Sequence, residues 1–214
     1  MMFSDEILSE LDMKVKYKLS AHRYMHTLGV KDAAIKIAKS CYLGDISEIA
    51  AAAMLHDISK EYSVAEQFNI MKKSGVALSD TDLMSHQVFH SFTAPYVIKM
   101  DFPDFATKNI LSSVFNHTTG AADMTIFDEI IFVADYIEVG RKYEGCIKVR
   151  DDLYDGFSSS RDREECVSYL HNATIAALEN TIIEITKNKK ILNERTVATR
   201  NAFLSRVPAP LVDL

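Results

Sequence analysis

The sequence contains few of the residues that mark several common protein classes. Its 214 residues include 3 cysteines, 7 glycines, 4 prolines and no tryptophan. Three scattered cysteines are too few for a disulfide framework or a cysteine-ligated zinc site, so we expect reduced thiols and a cytoplasmic location. Because all-β folds need frequent turn residues, the scarcity of glycine and proline argues against that class.

Long hydrophobic runs and excess positive charge are also missing. Apolar runs such as residues 130–134 are far shorter than the roughly 20 residues that cross a bilayer. The first twenty residues lack the continuous apolar stretch of a signal peptide. The formal net charge of −6 argues against non-specific nucleic-acid binding. An anionic substrate stays open, because a metal or a few local cations can override net charge.

What is present predicts one all-α domain. Hydrophobic residues make up 48% of the chain and charged residues 25%, as in soluble proteins, and apolar residues recur at helical spacing. We predict a helical bundle over residues 1–214, with its core at about residues 20–200, a short N-terminal helix and a loosely packed C-terminal extension. Helices are predicted at 30–43, 46–60, 85–100, 105–118, 127–140 and 166–188, and loops at 60–64, 73–82, 100–103, 118–125 and 144–160.

The histidines form the least ordinary pattern in the chain. They lie at positions 22, 26, 56, 86, 90, 117 and 171. A lone helical histidine is usually structural, but His22 and His26 are four residues apart and share one helix face, which Arg23 adjoins. His56 and Asp57 follow an alanine-rich helix, where a buried carboxylate needs a metal or a cation as partner. The dipeptide alone favours an ordinary helix end.

A second aspartate strengthens the case for a metal site. Asp135 is flanked by apolar residues of a predicted helix, so its carboxylate also needs a ligand or a paired charge. His86, His90 and His117 add imidazoles at helix ends or faces, whereas His171 is interpreted as structural. Several histidines with two aspartates and no cysteine suit a divalent transition metal such as Fe, Mn, Co, Ni or Zn. Coordination positions left open would make the site catalytic.

The order His26, His56-Asp57, Asp135 resembles that of the HD-domain metal-dependent phosphohydrolases. Longer segments are similar to the YqeK family, the HD-domain symmetrical bis(5′-nucleosyl)-tetraphosphatases: HRYMHTLGV, AAAMLHDISKEY, NHTTGAADMTIFDEIIFVADYIEVGRKYEG and the later RDDL. The similarity extends from about residue 20 to about residue 200. The His-Asp pair is weakly specific, but HTTG followed by MT and then FVADYIE is strongly specific.

The resemblance implies an all-helical fold, an iron-type metal and hydrolysis of diadenosine tetraphosphate to two ADP. It implies these metal ligands: His26, His56, Asp57 and Asp135. It implies that the nucleotide phosphates are lined by Arg23, Lys60, His90, His117 and Arg141, with Asn180 and Thr181 on a late helix beside the nucleotide. Asp57, His90 and His117 are the expected catalytic residues, since the imidazoles could polarise phosphoryl oxygens or protonate the leaving ADP. We expect Arg23 and Arg141 to face the anionic substrate rather than the metal.

Two segments depart from the family pattern. The family has a Gly-Ala pair four residues after its histidine. This chain has Ala94-Pro95 there when its His90, and not His86, is aligned with the family histidine. The family's Glu-Pro-x-Arg is here Glu138-Val139-Gly140-Arg141, so the turn before Arg141 lacks its proline.

Other functions stay open from the sequence. One is a different HD-domain phosphohydrolase, such as a nucleotidase or a cyclic-nucleotide phosphodiesterase. Another is a non-catalytic nucleotide sensor, although the intact His56, Asp57 and Asp135 argue against it. The third is a helical interaction protein with its histidines in the core, which predicts no stoichiometric metal. An exposed apolar face on one helix would support a homodimer.

Overall fold

The computed structural model describes residues 3–206, which form eleven α-helices and no β-strand. In chain order they are α1 (Asp5–Lys18), α2 (Ala21–Cys41), α3 (Ile46–Leu55), α4 (Val64–Ser74), α5 (Asp80–Met84), α6 (Phe89–Asp101), α7 (Lys108–Asn116), α8 (Ile126–Ile137), α9 (Glu144–Ser159), α10 (Arg163–Lys187) and α11 (Glu194–Arg206). The predicted all-α class is confirmed. None of these helices combines the length and the apolarity needed to span a membrane.

Short polar side chains begin the helices at the centre of the molecule. Ser20 accepts a hydrogen bond from the backbone of the first turn of α2, and Asp45 does the same for α3. Thr125 and Asp128 form a reciprocal capping box at the start of α8. Each cap satisfies N–H groups that have no partner within their own helix, so these starts are determined locally.

The alanine-rich helix α3 lies in the middle of the core. Residues 49–55 are all buried, and α3 packs against α1, α2, α7 and α8. The small side chains of Ala50–Ala53 allow neighbouring backbones to approach α3 from several sides, which a helix of large residues would prevent. This packing brings the C-terminal end of α3 close to α2 and α8.

The segment 144–160, predicted as a loop, is instead helix α9. Its composition is polar, but Cys146, Val149 and Leu153 recur at helical spacing and are buried, and α9 packs against α10. The loop prediction was therefore wrong, because it weighed average polarity above periodicity. Within the predicted loop 73–82, the short helix α5 begins at Asp80.

The C-terminal extension was also predicted incorrectly where the structure describes it. Residues 194–206 form α11, which packs against α10 and buries Phe203 completely. Thr196, Thr199 and Phe203 lie on one side of the helix at spacings of three and four residues, and all three are buried. Residues 207–214 lie outside the described part of the chain.

Candidate metal centre

Ends of separate helices bring the predicted metal ligands together. His26 comes from α2, His56 directly follows α3, and Asp57 lies in the turn after it. Asp135 comes from the last turn of α8. His90 near the start of α6 and His117 at the end of α7 face the same point. Residues distant in sequence thus lie close together at one end of several helices.

Two imidazoles and two carboxylates form the inner part of the centre. His26 Nε2 lies 3.0 Å from Asp135 Oδ1 and 3.6 Å from Asp57 Oδ2. His56 Nε2 lies 3.5 Å from Asp57 Oδ2 and 4.0 Å from Asp135 Oδ1. Four potential ligand atoms on three elements therefore surround one small space.

The hydrogen bonds on the far side of each ring determine which nitrogen faces this space. His56 Nδ1 lies 2.6 Å from the carbonyl oxygen of Ala53, which can only accept, so Nδ1 carries the proton. His26 Nδ1 lies 3.3 Å from Glu138 Oε1, also an acceptor. In each neutral ring Nε2 then carries a lone pair and no proton. Both Nε2 atoms are buried without a hydrogen-bond partner among the described residues.

These lone pairs face carboxylate oxygens, an arrangement that needs a cation. Burial would lower the pKa of His26, but the close approach of Asp135 and the charges of Asp135 and Asp57 raise it overall. A position that attracts a proton so strongly also attracts a metal ion, which competes with the proton for the same lone pair. The two nitrogen and two oxygen donors suit a divalent transition metal, so the residues present fit such an ion.

His90 and His117 lie on the other side of Asp57. His117 Nδ1 donates to the carbonyl oxygen of Val114 at 2.7 Å, so its Nε2 is an acceptor. His90 Nε2, 3.1 Å from that atom, then carries a proton, and it also lies 3.3 Å from Asp57 Oδ1. The three residues form a further group with metal-ligand spacing, alongside His26-His56-Asp57 and His56-His117-Asp135. Asp57 therefore presents one oxygen to each pair of histidines.

The two arginines bond the carboxylates of the centre. Arg23 Nη1 donates to Asp57 Oδ2 at 2.8 Å, and Arg141 Nη2 donates to Asp135 Oδ1 at 2.6 Å. Burial alone would raise the pKa of Asp57, but its histidine neighbours, His56 foremost, hold it well below the usual range. Burial would likewise raise the pKa of Asp135, and Arg141 is the main group that lowers it. Both carboxylates are thus ionised, as ligands must be.

The arginine contacts revise one expectation from the sequence. Arg23 and Arg141 were expected to face the substrate rather than the metal, and the structure places each against a carboxylate of the metal centre. The reason is electrostatic: two buried carboxylates require positive charge nearby. Arg23 Nε is buried with no hydrogen-bond partner among the described residues, so donors remain on that side chain.

Lys60 completes the positive side of the centre. Its Nζ lies 3.1 Å from both ring nitrogens of His90, and burial lowers its pKa. The same lysine and the arginines would face any anion placed beside Asp57. The charge of Lys60, together with burial, holds the pKa of His90 well below its usual range, so this ring is neutral.

The remaining predicted residues lie farther out. Asn180 on α10 approaches Gly145 at the start of α9, and Thr181 donates to the carbonyl oxygen of Ala177 in its own helix. Their part in nucleotide binding stays a prediction. His22 and His86 are exposed, and His171 Nδ1 lies 2.7 Å from Glu129 Oε2, away from the centre.

Two contributing residues received no role from the sequence. Glu138 contacts His26, as described above. Arg150 on α9 donates to three backbone carbonyls, that of Ile137 at the end of α8 and those of Glu138 and Arg141 in the turn after it. Both residues lie within the segments EVGR and RDDL that support the family resemblance, and that was the only available signal.

Comparison with known proteins agrees with this geometry. Residues 23–140 match the HD domain family. A relative from Halalkalibacterium halodurans, named symmetrical bis(5′-nucleosyl)-tetraphosphatase, is 31% identical over 192 residues, which cover 89% of this chain and 93% of the relative. A protein of the same name from Staphylococcus aureus is 33% identical over 65% of this chain and 70% of the relative. Another, from Bacillus subtilis, is 28% identical over 89% of this chain and 94% of the relative.

A solved structure has the same fold. It comes from Clostridium acetobutylicum and is described as an HD superfamily hydrolase involved in NAD metabolism. It is 26% identical, with a TM-score of 0.77 over 97% of this chain and 100% of the other. The likeness extends over nearly the whole chain, including the helices outside residues 23–140.

Proposed function

We propose, because this chain belongs to the HD-domain family, that it is a metal-dependent hydrolase that cleaves diadenosine tetraphosphate symmetrically into two ADP. The relatives that align over most of the chain are named for this reaction. The observation that carries the proposal is the pair of Nε2 atoms of His26 and His56, which face Asp57 and Asp135 and have no hydrogen-bond partner within residues 3–206. We propose iron as the metal in the cell, and the same donors would accept Mn, Co, Ni or Zn.

We assign the metal to His26, His56, Asp57 and Asp135. When bound, a divalent ion supplies Lewis acidity that polarises phosphoryl oxygens and makes water nucleophilic near neutral pH. Asp57 has the central role, since one of its oxygens faces His26 and His56 and the other faces His90 and His117. Asp57 thereby contacts both the histidines proposed as metal ligands and the histidines proposed to face the substrate.

The substrate phosphates are assigned to Arg23, Lys60 and Arg141. The chain has a net charge of −6, so binding four phosphates requires positive charge concentrated in one place. Arg141 retains 37% side-chain exposure while it bonds Asp135, which leaves part of its guanidinium open to a ligand. Asn180 and Thr181 are proposed to border the nucleotide at α10.

We propose that His90 donates a hydrogen bond to a phosphoryl oxygen of the leaving ADP, because a neutral imidazole is too weak an acid to transfer its proton. The His90 ring is neutral, and its Nε2 carries the proton, because the acceptor Nε2 of His117 lies opposite it. In this tautomer His117 has no proton to offer a phosphate oxygen, so we assign it to orienting the His90 donor, from which its Nε2 accepts. A thiolate nucleophile is not supported, since all three cysteines are buried and burial raises the pKa of Cys41 to about 12. We therefore propose direct attack by water without a covalent intermediate.

The setting of the reaction is proposed to be the cytoplasm. The three cysteines are free, which suits a reducing compartment. The homodimer expected from the sequence stays a prediction.

Product analysis tests the proposal. Purified protein loaded with Fe²⁺ or Mn²⁺ is incubated with diadenosine tetraphosphate, and the nucleotides are separated by ion-exchange chromatography. ADP should be the sole product, and a single turnover in oxygen-18 water should place one label on the β-phosphate of one of the two ADP molecules. Protein treated with a chelator is the control.

The other outcomes separate the alternatives. AMP plus ATP would overturn symmetrical cleavage and leave a metal-dependent hydrolase. Turnover of nucleoside monophosphates or cyclic nucleotides, with none of the dinucleotide, would indicate another HD-domain phosphohydrolase. Absence of bound metal and of all turnover would favour the non-catalytic readings.

A further inference from the structure

Glu138 is a buried carboxylate next to the metal centre with no assigned role. It directly follows α8, three residues after Asp135, and is only 5% exposed. Its Oε1 lies 3.3 Å from His26 Nδ1, and its Oε2 accepts the backbone N–H of Gly140 at 2.5 Å. Glu138 is not itself among the residues with metal-ligand spacing in the described chain.

Two glycines make room for this carboxylate. A Cβ at Gly29, one turn after His26 on α2, would lie 2.6 Å from Glu138 Oε2. A Cβ at Gly140 would lie 2.7 Å from Glu138 Oε1. Real Cβ atoms essentially never come this close to an oxygen, so a side chain at either position would displace the Glu138 carboxylate. The arrangement is a built contact rather than a chance approach.

The contact decides which nitrogen of His26 can bind a metal. A carboxylate accepts only, so the Nδ1 that faces it must carry the proton, and the lone pair is then on Nε2. Without Glu138 the neutral ring could protonate Nε2 instead and donate to Asp135 Oδ1, 3.0 Å away. That tautomer would have no lone pair directed at the centre.

We propose that Glu138 is a positioning residue that holds His26 in the Nδ1–H tautomer and thereby makes Nε2 a metal ligand. Carboxylates that bond the outer nitrogen of a metal-binding histidine orient the ring and raise its basicity. The other two rings of this kind, His56 and His117, use a backbone carbonyl for the same purpose. His26 alone among these three relies on a side chain, so its tautomer is open to mutation. The inference rests on the proposed metal centre.

The same chain offers a matched control. Glu129 is fully buried on α8, and its Oε2 lies 2.7 Å from His171 Nδ1, so it forms a second carboxylate–imidazole pair. That pair lies outside the groups with metal-ligand spacing. Glu129→Gln therefore reproduces the loss of a buried carboxylate without touching the centre.

The test combines metal affinity with a direct observation of the ring. Mn²⁺ is titrated calorimetrically into metal-free wild type, Glu138→Ala, Glu138→Gln and Glu129→Gln, and thermal unfolding confirms that each is folded. Glu138→Ala should bind Mn²⁺ about 10- to 100-fold more weakly, the usual loss when such a partner is removed. Glu138→Gln should lose less, because its amide oxygen can still accept from Nδ1. Glu129→Gln should lower stability and leave the affinity unchanged.

Long-range ¹H–¹⁵N spectra identify the tautomer of His26 in zinc-loaded protein and in metal-free protein at alkaline pH. Wild type should show Nδ1–H and Glu138→Ala a mixture. Equal Mn²⁺ affinities of wild type and Glu138→Ala, or an Nε2–H ring in wild type, would overturn the proposal. If wild type bound no Mn²⁺, the proposed function would fall, and the tautomer in the metal-free proteins would still decide the role of Glu138.

Discussion

Asp57 and Asp135 concentrate the chemistry of the site in two side chains. Burial opposes the charge of each, yet histidine and arginine neighbours hold both pKa values well below the usual range. Asp57 by itself lies close to four imidazoles and one guanidinium group. At the scale of single residues, the centre is an arrangement of donors and lone pairs that two carboxylates hold together.

Removing either carboxylate should therefore remove the metal. Asp57→Ala and Asp135→Ala are each expected to abolish nearly all bound metal and nearly all hydrolysis, since the ion loses a charged oxygen ligand. Elemental analysis after loading and gel filtration measures the metal. Asp104→Ala, at an exposed aspartate, is the control and should keep wild-type metal content. Wild-type metal content in both buried variants would contradict the ligand assignment.

At the scale of elements, the turn between α8 and α9 decides where Glu138 and Arg141 point. The turn lacks the proline of the family pattern, and Arg150 from α9 stabilises it. The guanidinium donates to the carbonyl oxygens of Ile137 at 2.5 Å, Glu138 at 2.6 Å and Arg141 at 3.0 Å. Since these carbonyls follow the end of α8, one side chain satisfies acceptors that the helix leaves free.

Arg150→Ala should loosen this turn. We expect a loss of about 1.5–3 kcal/mol in the free energy of unfolding, the range for hydrogen bonds to charged groups. KM for diadenosine tetraphosphate should rise, because Arg141 is less well held. Urea unfolding and steady-state kinetics measure the two effects.

Two controls accompany this variant. Arg150→Lys should resemble Arg150→Ala, since a single ammonium cannot span three carbonyls as the planar guanidinium does. Lys148→Ala, at a position of the same helix with a 73% exposed side chain, should leave both quantities unchanged. Full rescue by lysine would show that only the charge at position 150 matters.

At the scale of the whole molecule, α11 packs against α10 and contacts α5, α6 and α7 through single side chains. Asp82 on α5 is fully buried and accepts from Asn193 Nδ2 at 2.9 Å and Arg195 Nε at 3.0 Å. The Arg195 guanidinium lies 5.6 Å from the Phe92 ring of α6 and 5.7 Å from the Phe115 ring of α7. One network thus joins α11 to α5, α6 and α7.

This network predicts how stability depends on pH. Burial would raise the pKa of Asp82, but hydrogen bonds from Asn193 and the Ser79 backbone and the charge of Arg195 lower it overall. A carboxyl group with a lowered pKa stabilises the fold above its unfolded pKa, about 3.9. That contribution is lost as the pH falls through the folded value.

Asp82→Asn should therefore cost about 1.5–3 kcal/mol of unfolding free energy at neutral pH, the range for charged hydrogen bonds. The difference from wild type should shrink as the pH falls below about 3.9. Urea unfolding at a series of pH values measures both curves, with Asp104→Asn as the exposed control. A difference that stays constant down to acid pH would show that Asp82 contributes through packing rather than through its charge.

The sequence by itself determined the helical class and many local features. Helices α3 and α8 follow from apolar spacing and from caps such as Asp45, because these depend on residues three or four positions apart. The resemblance also identified His26, His56, Asp57 and Asp135, which the structure brings together. Periodicity could have identified α9 and α11, but their polar composition obscured the buried positions.

The tertiary structure alone decided how the side chains meet. Local sequence patterns do not reveal that Arg23 contacts Asp57 or that Arg141 contacts Asp135. They also do not reveal that Glu138 contacts His26 or that Arg150 stabilises the turn after α8. Arg141 reaches Asp135 through the turn after α8, and the other contacts join residues from different helices, where a side chain reaches its partner only at one packing angle and separation. The proton positions on the imidazoles follow from the same contacts, since the hydrogen bond made by one ring nitrogen determines which nitrogen carries the proton.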